Sequence, residues 1–410
     1  MSEPQTKTHA ATESLSYEDN ELLWGGRKVS ELALTAGQTP FYAYDRARMA
    51  SRVRELREAL PAELHIHYAM KANPMPEVVD FLAGLVDGLD VASVGEMEIA
   101  LQTGTNASDI SFAGPGKRDE ELKSAIAAGI TINIESIGEL RRIAGLAADA
   151  GKRPDVAIRV NPAFELKTAG MKMGGRPSPF GIDAEVVPAV LRELAGLDLN
   201  FRGFHVFSGS QNLRAEAIIE AITKTAELVI ELAESTPLRP ALINIGGGLG
   251  VPYFPGERSL VLGSIGEAAA KAVGRLKSAL GNVEVVTELG RYLVGQSGIY
   301  VTRVIDVKES RGAKFAVCDG GLHHHLAASG NFGQVIRKNY PVVSVDSTGR
   351  QEEVSVVGPL CTPLDLLGDR VTVHELRVGS LVAVLQSGAY GKTASPASFL
   401  SHPPCAEILC

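Results

Sequence analysis

The sequence predicts an α/β protein that combines a TIM-type (β/α)8 barrel with a second, all-β domain, a β-barrel or sandwich. Two observations lead to this fold class. Short apolar runs alternate with amphipathic helical patterns between residues 45 and 289, whereas after residue 290 the runs are β-rich and separated by turns. We therefore expect a flexible polar tail at 1–20, a barrel at 45–289, and a β-domain built from 21–44 and 290–410.

Eight segments of the barrel region have the length and apolar character of strands. Because helical patterns lie between them, the strands are expected to run parallel. Eight such units in about 245 residues fit a (β/α)8 barrel, which typically has about 250 residues. A doubly wound open sheet is the alternative that the pattern leaves open. The segments are HIHYAMK (65–71), GLDVAS (88–93), ISFAG (110–114), TINIES (131–136), VAIRVN (156–161), FRGFHVFS (201–208), ALINIGG (241–247) and VEVVTEL (283–289).

Helical and β-rich patterns complete the outline. Apolar residues recur at three- and four-residue spacing in 117–129, 136–151 and 214–234, which predicts helices there. The early segment LWGGRKVSEL (23–32) is typical of a strand and is a candidate to pair with the β-domain. The β-rich runs of that domain are GIYVTRVIDVK, KFAVCDGG, EVSVVGP, RVTVHEL and LVAVLQSGAY.

Composition and charge exclude several classes of function. The chain has 410 residues and a net charge of −8 without a basic cluster, which argues against nucleic-acid binding. It shows neither a long apolar stretch nor an N-terminal signal pattern, so we expect a cytoplasmic protein that does not bind membranes. The cysteines lack CxxC spacing, which argues against a disulfide framework and a zinc site: Cys318, Cys361, Cys405 and Cys410.

Barrel enzymes carry their chemistry at the carboxyl ends of the strands. Lys71 closes the first predicted strand, after the apolar residues Ala69 and Met70. An apolar setting depresses the pKa of an amine and supports Schiff-base chemistry, although a lysine at a strand end is more commonly a solvated rim residue. Glu288 closes the eighth strand and offers a carboxylate near the barrel axis.

Glycines follow the seventh and eighth strands, where barrels of this kind often bind phosphate. Gly246, Gly247 and Gly248 expose backbone amides, although a tight turn explains them equally well. The dinucleotide fingerprint GxGxxG is not met, because its last position is Val251. Gly290 and Arg291 are candidates for a second phosphate contact: they follow Glu288 directly.

Three further features have competing interpretations. His205 ends the sixth strand and precedes Ser208, a third candidate phosphate contact, but buried histidines are more commonly core residues. The run His323–His325 resembles a metal-binding run, yet alternate residues of a strand point to opposite faces, so we expect no metal site. Cys361 lies in a turn without a basic neighbour, and by default is a structural thiol.

Taken together and in order, these motifs resemble the fold-type III decarboxylases of the ornithine/diaminopimelate group, which depend on pyridoxal 5′-phosphate (PLP). The resemblance covers roughly residues 38–410 and implies a (β/α)8 barrel with a β-domain. The motifs are Tyr68–Asn73, Asp90–Ser93 with Gly95 and Glu96, His205 with Ser208, Gly246–Gly248, Glu288 with Gly290 and Arg291, Gly358–Cys361, and Ser387–Tyr390.

The resemblance implies a role for each matching residue. Lys71 matches the lysine that holds PLP through a Schiff base, and Glu288 matches the carboxylate that pairs with the pyridine nitrogen. His205 matches the imidazole stacked on the ring. Asp90 and Glu96 match acidic residues that support the lysine and the ring. The residues that match the phosphate contacts of the family are Ser208, Gly246, Gly247, Gly248, Gly290, Arg291 and Tyr390.

The resemblance also implies a homodimer with shared active sites. Cys361 matches a thiol that reaches into the neighbouring site and returns a proton to the α-carbon after CO2 leaves. The racemases that share this barrel carry an arginine where Glu288 stands, so decarboxylation is favoured over racemisation.

One departure bears on the substrate. The free diamino acid enzymes have an acid after the cysteine, whereas this chain has Thr362. A buried ammonium without its carboxylate loses several kcal/mol, which argues against free lysine, ornithine or diaminopimelate. Asp365 remains nearby, and Arg337 with Tyr340 is a candidate clamp for a substrate carboxylate.

The stretch 171–177 and the run His323–His325 depart from the free diamino acid enzymes as well. They are similar to the subgroup of glutamyl–acyl-carrier-protein decarboxylases and exosortase-associated decarboxylases. We therefore expect decarboxylation of an α-amino acid that is tethered to a carrier protein or otherwise conjugated. The alternatives are a diaminopimelate, lysine or ornithine decarboxylase, an amino-acid racemase, and a non-catalytic homologue.

Overall fold

The structure is a computed structural model that describes residues 9–13, 15–164, 171–172 and 175–410. The chain forms two compact units. The barrel unit comprises Arg52–Val251 and Ser259–Tyr292. The β-rich unit comprises the described residues up to Ser51, together with Pro252–Arg258 and Leu293–Cys410. The domain boundaries expected from the sequence stay predictions.

The barrel unit contains eight parallel strands that close on themselves. Each strand pairs with the next along the chain from strand 1 to strand 6, and strands 6, 7 and 8 continue this order. Strand 8 pairs with strand 1, which closes the barrel. The predicted barrel is confirmed and the open-sheet alternative is wrong. Barrel strands 1 to 8 are Leu64–Ala69, Gly88–Val91, Ile110–Phe112, Thr131–Ile134, Asp155–Asn161, Asn200–Val206, Leu242–Gly247 and Glu284–Leu289.

Helices follow the barrel strands and pack an apolar face against them. Two of them begin at a serine cap: Ser93 and Ser136 each accept a hydrogen bond from the amide of a glutamate three residues later. No helix of the described residues is both long and apolar enough to cross a membrane. The helix before strand 1 is Arg46–Ala59, and those after the strands are Pro76–Ala83, Val94–Gln102, Asp119–Ala128, Ile137–Ala150, Val187–Leu194, Ala215–Glu234, Gly263–Leu280 and Arg291–Val294.

The β-rich unit is built around the long strand Gly298–Ser310. This strand pairs antiparallel with Phe41–Tyr44, Ala313–Cys318 and Leu381–Val384. The last strand, Ala406–Leu409, pairs parallel with Phe41–Tyr44. The other strands are Ser16–Glu18, Glu21–Trp24, Arg27–Lys28, Val342–Ser344, Gln351–Val357 and Leu366–His374, with short two-residue strands elsewhere in the chain at Met171–Lys172, Ile182–Asp183 and Gly209–Ser210.

The N-terminal segment differs in part from its prediction. Residues 1–8 and 14 of the expected flexible tail lie outside the described residues, whereas Ser16–Glu18 pairs with Glu21–Trp24. In the segment 23–32, a helix at Val29–Ala36 replaces the expected continuous strand, because Val29 and Leu32 bury a helical face. That face joins the apolar core of the unit, formed by Leu22, Trp24, Val29, Leu32, Phe41, Ala43, Ile299, Val301, Val345, Ala383 and Leu385.

Candidate active site

A cavity of about 320 Å³ opens at the carboxyl ends of the barrel strands. This is the end at which barrels of this class place their active sites. Charged side chains from five strand ends reach it. Its lining residues are Ala69, Lys71, Asp90, Val91, Ala92, Ala113, Gly114, Pro115, Arg159, Phe180, His205 and Glu288.

Lys71 lies just beyond strand 1, in the 3-10 turn Met70–Ala72. The amide of Asn73 closes this turn on the carbonyl of Met70 at 3.0 Å. Lys71 is exposed, and its Nζ lies 5.9 Å from the centre of the Phe207 ring. The turn carries the Lys71 side chain out of the barrel core and to the cavity.

Glu288 and His205 form a buried pair in the cavity wall. His205 Nε2 lies 3.2 Å from Glu288 Oε2, without the alignment of a hydrogen bond, and Asn244 Nδ2 donates to the same oxygen over 3.2 Å. Burial raises the pKa of the Glu288 carboxyl, but the neighbouring His205 imidazole and the charges of Lys71 and Arg159 more than offset this and lower it to about 2. Glu288 is thus held as a carboxylate at neutral pH.

Arg159, inside strand 5, adds a cation that the sequence analysis missed. Its Nη1 donates to Glu135 Oε1 over 2.8 Å, and its guanidinium lies 5.1 Å from the centre of the Phe180 ring. Glu135 also accepts hydrogen bonds from the amides of Gly114 and Gly181. Two backbone amides and the Arg159 guanidinium therefore hold the Glu135 carboxylate, and this carboxylate in turn holds Arg159 in the cavity wall.

Asp90, in strand 2, also lines the cavity and is buried. Its Oδ1 accepts a hydrogen bond from Ser111 Oγ over 2.6 Å. Glu96, the other acid expected near the lysine, caps the helix Val94–Gln102 by accepting from the amide of Ala92 at 2.7 Å. Burial raises the pKa of Glu96, although this amide and the charge of Lys71 oppose the effect.

The glycines after strand 7 lie where three chain segments meet. A Cβ at Gly246 would lie 2.5 Å from the carbonyl oxygen of Val206, and one at Gly248 would lie 2.6 Å from that of Gly209. A Cβ at Gly247 would overlap the carbonyl oxygen of Glu288. Only glycine fits this close approach of strand ends 6, 7 and 8, which leaves the turn Gly246–Gly248 free of side chains.

The remaining predicted phosphate contacts are spread over both units. Ser208 is half-buried, two residues after strand 6. Gly290 follows strand 8 beside the carbonyl of Ala69, and Arg291 begins the helix that comes next. Tyr390 belongs to the β-rich unit and has a left-handed backbone, with φ of +52°.

In the β-rich unit, Cys361 is an exposed, free thiol at the tip of a turn. The next residue, Thr362, accepts a hydrogen bond from the amide of Leu364 with its hydroxyl. Asp365 is buried, and its two oxygens accept from the amides of Leu322 at 2.6 Å and Leu360 at 2.8 Å. The polar groups next to Cys361 are therefore engaged by the turn itself.

Arg337 and Tyr340 are likewise held by their surroundings. Arg337 donates to the carbonyls of Ser329 and Leu366, and burial lowers the pKa of its guanidinium. The buried Tyr340 ring lies 4.9 Å from that of Tyr253. The carboxylate clamp assigned to these residues stays a prediction, and the observed contacts of the guanidinium are to backbone.

The run His323–His325 forms a turn and not the strand assumed from the sequence, since the amides of His324 and His325 both donate to Gly321. All three side chains are buried. His325 contacts Ser387 Oγ at 2.8 Å, and burial lowers its pKa to about 3. Among the described residues, none of the side-chain groups has the composition of a metal site. Within the stretch 171–177, residues 173 and 174 lie outside the described residues.

Polar residues in the interior of apolar strands were the missed signal. His67, Ser111, Asn133, Arg159 and Asn244 all lie inside strands whose neighbouring residues are apolar, and all five are buried. A polar side chain at such a position needs partners, so its presence indicates a polar layer inside the barrel. The sequence analysis looked only at strand ends.

A closed parallel barrel with an accessible lysine, a buried carboxylate–imidazole pair and a glycine turn defines an enzyme of the (β/α)8 class. Residues 46–295 match the family described as pyridoxal-dependent decarboxylase, pyridoxal binding domain. The chain belongs to this family and is a PLP-dependent amino-acid decarboxylase, as the resemblance implied.

Named relatives agree with the family. The chain is 40% identical over 380 residues to L-glutamyl-[BtrI acyl-carrier protein] decarboxylase of Niallia circulans, covering 91% of this chain and 89% of that protein. It is 31% identical to 2-[(L-alanin-3-ylcarbamoyl)methyl]-2-hydroxybutanedioate decarboxylase of Staphylococcus aureus, covering 92% and 95%. The crystal structure of diaminopimelate decarboxylase from M. jannaschii with L-lysine aligns with a TM-score of 0.87 at 26% identity, covering 98% and 93%.

Proposed function

We propose that this decarboxylase acts on an α-amino acid whose far end is joined to a carrier protein or another group. The observation that carries the proposal is the turn after Cys361. Thr362 replaces the acid of the free diamino acid enzymes, and the nearby carboxylate of Asp365 is already bound by two backbone amides. A free ammonium brought to this turn would have to share the Asp365 carboxylate with these two amides and would lack the acid that follows the cysteine in the free diamino acid enzymes.

The barrel cavity fits PLP on three counts. Lys71 supplies an accessible amine, and Glu288 supplies a buried carboxylate for the pyridine nitrogen. The turn Gly246–Gly248, which has no room for a Cβ, is assigned to the phosphate group, and the amide of Gly246 itself donates to Asn244 Oδ1. Ser208, Gly290, Arg291 and Tyr390 are assigned to the same phosphate group.

When bound, PLP supplies an electron-accepting ring that takes up the electron pair left by the departing CO2. The chain's own residues prepare this chemistry. Glu288 keeps a negative charge at Oε2, because His205, Lys71 and Arg159 favour its ionised form. His205 is assigned to the face of the ring, and Asp90 to the side of Lys71.

Cys361 is assigned as the proton donor to the α-carbon, through Sγ. Its exposure suits a thiol that works in the active site of a second copy of the chain, so we infer a homodimer with shared sites. The predicted cytoplasmic location agrees with a chain that has free cysteines at Cys318, Cys361, Cys405 and Cys410.

The relatives support a conjugated substrate. The Niallia circulans enzyme, by its name, acts on glutamate carried by an acyl carrier protein. The Staphylococcus aureus enzyme is named for a substrate in which the amino acid is joined by an amide to a hydroxy acid. Diaminopimelate decarboxylases are also similar to the chain, at 29–33% identity, which makes the free diamino acid the competing substrate.

The proposal is tested by measuring CO2 release from PLP-loaded protein with a panel of substrates. The panel contains free diaminopimelate, lysine and ornithine, and glutamate bound as a thioester to an acyl carrier protein. We expect turnover of the carrier-bound glutamate and at most slow turnover of the free diamino acids. Efficient turnover of a free diamino acid would contradict the argument from Thr362.

A further inference from the structure

Four polar side chains form a chain of contacts inside the barrel, one from each of strands 1 to 4. Asn133 Nδ2 donates to Ser111 Oγ over 3.2 Å, and Ser111 Oγ donates to Asp90 Oδ1 over 2.6 Å. His67 Nδ1 lies 3.3 Å from the same oxygen of Asp90. All four residues are buried. Of the four, Asp90 is the member that lines the cavity.

The two oxygens of Asp90 have different surroundings. Oδ1 takes the contacts of Ser111 and His67, whereas Oδ2 is buried and makes no hydrogen bond within the described part of the protein. A buried carboxylate oxygen without a donor costs free energy. Because Asp90 shares the cavity with Lys71, a molecule bound there can supply the missing donor.

The position of the His67 ring depends on its neighbour in strand 2. His67 and Gly88 are register partners, and a Cβ at Gly88 would lie 2.5 Å from His67 Nε2. Glycine at this position therefore leaves the ring the space it occupies beside Asp90.

The surroundings of His67 are acidic. Asp90 faces it from strand 2, Asp87 from the turn before that strand, and Glu284 from the start of strand 8. Glu288, near the end of strand 8, is the register partner of His67. Burial lowers the pKa of His67, but the charge and hydrogen bond of Asp90, with Glu284 and Asp87, more than offset this and raise it. The charged pair is present below this raised pKa and is lost as the pH rises through it.

We propose that His67 and Ser111 are positioning residues of the decarboxylase, which fix one oxygen of Asp90 and leave the other for the molecule bound in the cavity. The inference rests on the proposed function only for the identity of that molecule, PLP. His67 acts through Asp90 and touches no cavity atom itself. Its effect must therefore disappear when Asp90 is changed.

The first experiment measures the charge of His67 without cofactor. NMR titration of histidine-labelled apoprotein gives the pKa of each imidazole, and His67→Gln identifies the resonance. We expect the pKa of His67 above the usual value in the wild type and lower in Asp90→Asn, because the largest contribution that opposes burial is then removed. A pKa that is unaffected by Asp90→Asn would overturn the inference, whatever the state of the PLP assignment.

The second experiment measures the dissociation constant of PLP from the absorption of the bound cofactor. Introduced into the wild-type protein, His67→Gln and Ser111→Ala should each weaken PLP binding about tenfold. Introduced into the Asp90→Asn variant, each should weaken it less than twofold. Equal losses in both backgrounds would show a merely structural role and overturn the inference. Failure of the wild type to bind PLP at all would instead contradict the proposed function.

A matched control comes from the same strand. His65 contacts Glu284 at 2.8 Å in a similar imidazole–carboxylate pair, but Glu284, unlike Asp90, does not line the cavity. His65→Gln should leave PLP binding unchanged. A loss equal to that of His67→Gln would mean that any imidazole of strand 1 has this effect, and would overturn the specific role of His67.

Discussion

The barrel cavity and the turn around Cys361 use polar side chains in opposite ways. In the cavity, Glu288 and Asp90 are held by other side chains, so their carboxylates stay available at the wall. In the turn, Asp365 and Thr362 are engaged by backbone amides of the turn itself. The first arrangement prepares charged groups for a ligand. The second shapes a loop and leaves a thiol as its exposed group.

The difference shows that a polar or charged residue near a motif can either be available to a ligand or shape a loop. What separates the two cases is the partner. Glu288 and Asp90 contact other side chains at the cavity wall, whereas Asp365 and Thr362 accept hydrogen bonds from main-chain amides that fix the turn. The following predictions test this contrast, beginning with the largest effect.

Removal of the lysine amine should abolish the cavity's chemistry. Lys71→Ala leaves no amine at the end of strand 1, so decarboxylation should fall to background. The measurement is mass spectrometry of borohydride-treated, PLP-loaded protein, which should show a modified peptide containing Lys71 in the wild type and none in the variant. A modified peptide at another lysine in the wild type would contradict the assignment.

The exposed thiol of the turn should matter for turnover and not for cofactor binding. Cys361→Ala should keep PLP and slow turnover by about 10²- to 10⁴-fold, the range of general acid catalysis. Cys405→Ala is a control of the same residue type, because Cys405 is buried and the burial raises its pKa to about 12. Product formed in deuterated buffer should lose its fixed configuration at the α-carbon only in Cys361→Ala.

Neutralising the carboxylate of the cavity should have the next largest effect. Glu288→Gln keeps the size of the side chain but removes the charge that His205 and Arg159 stabilise, so kcat should fall about 10²- to 10³-fold. Because the pKa of Glu288 is lowered, its charge persists as the pH falls through the usual range of a carboxyl. The wild-type rate should therefore show no loss attributable to Glu288 near pH 4.5. A loss of rate near pH 4.5 that occurs in the wild type and not in Glu288→Gln would contradict the lowered pKa of Glu288.

The Asp365 carboxylate in the turn should contribute to the stability of the fold and not to catalysis. Asp365→Ala leaves the amides of Leu322 and Leu360 without acceptors and should reduce the free energy of unfolding by about 2–4 kcal/mol, measured by urea denaturation. Asp365→Asn keeps an acceptor and should lose less. Glu353→Ala, at an exposed position of the same unit, should change stability by less than about 0.5 kcal/mol. A stability of Asp365→Ala equal to the wild type would show that the turn does not depend on this side chain.

The alternation of apolar runs and helical patterns was enough to predict the barrel, because eight strand–helix units have few other arrangements. Position near the predicted strand ends also singled out Lys71, His205 and Glu288, which line the cavity. The helix at Val29–Ala36 was missed, since its short apolar pattern resembles a strand until it is seen packed against the sheet core.

Contacts between distant strands could not be predicted from one sequence. The pairing of Arg159 with Glu135, and of His67 with Asp90, depends on which strands are neighbours and on their register. The exposure of Lys71 depends on the turn that follows strand 1. Periodicity gives the faces of an element but not these distances.

The most direct test of the contrast between cavity and turn is a change of substrate preference. Thr362→Asp restores an acid after Cys361, and Thr362→Val is the control that removes the hydroxyl without adding charge. The measurement is the ratio of kcat/KM for free diaminopimelate to kcat/KM for carrier-bound glutamate. We predict a low ratio in the wild type and in Thr362→Val, and a rise of at least about tenfold in Thr362→Asp. A high ratio in the wild type would contradict the account.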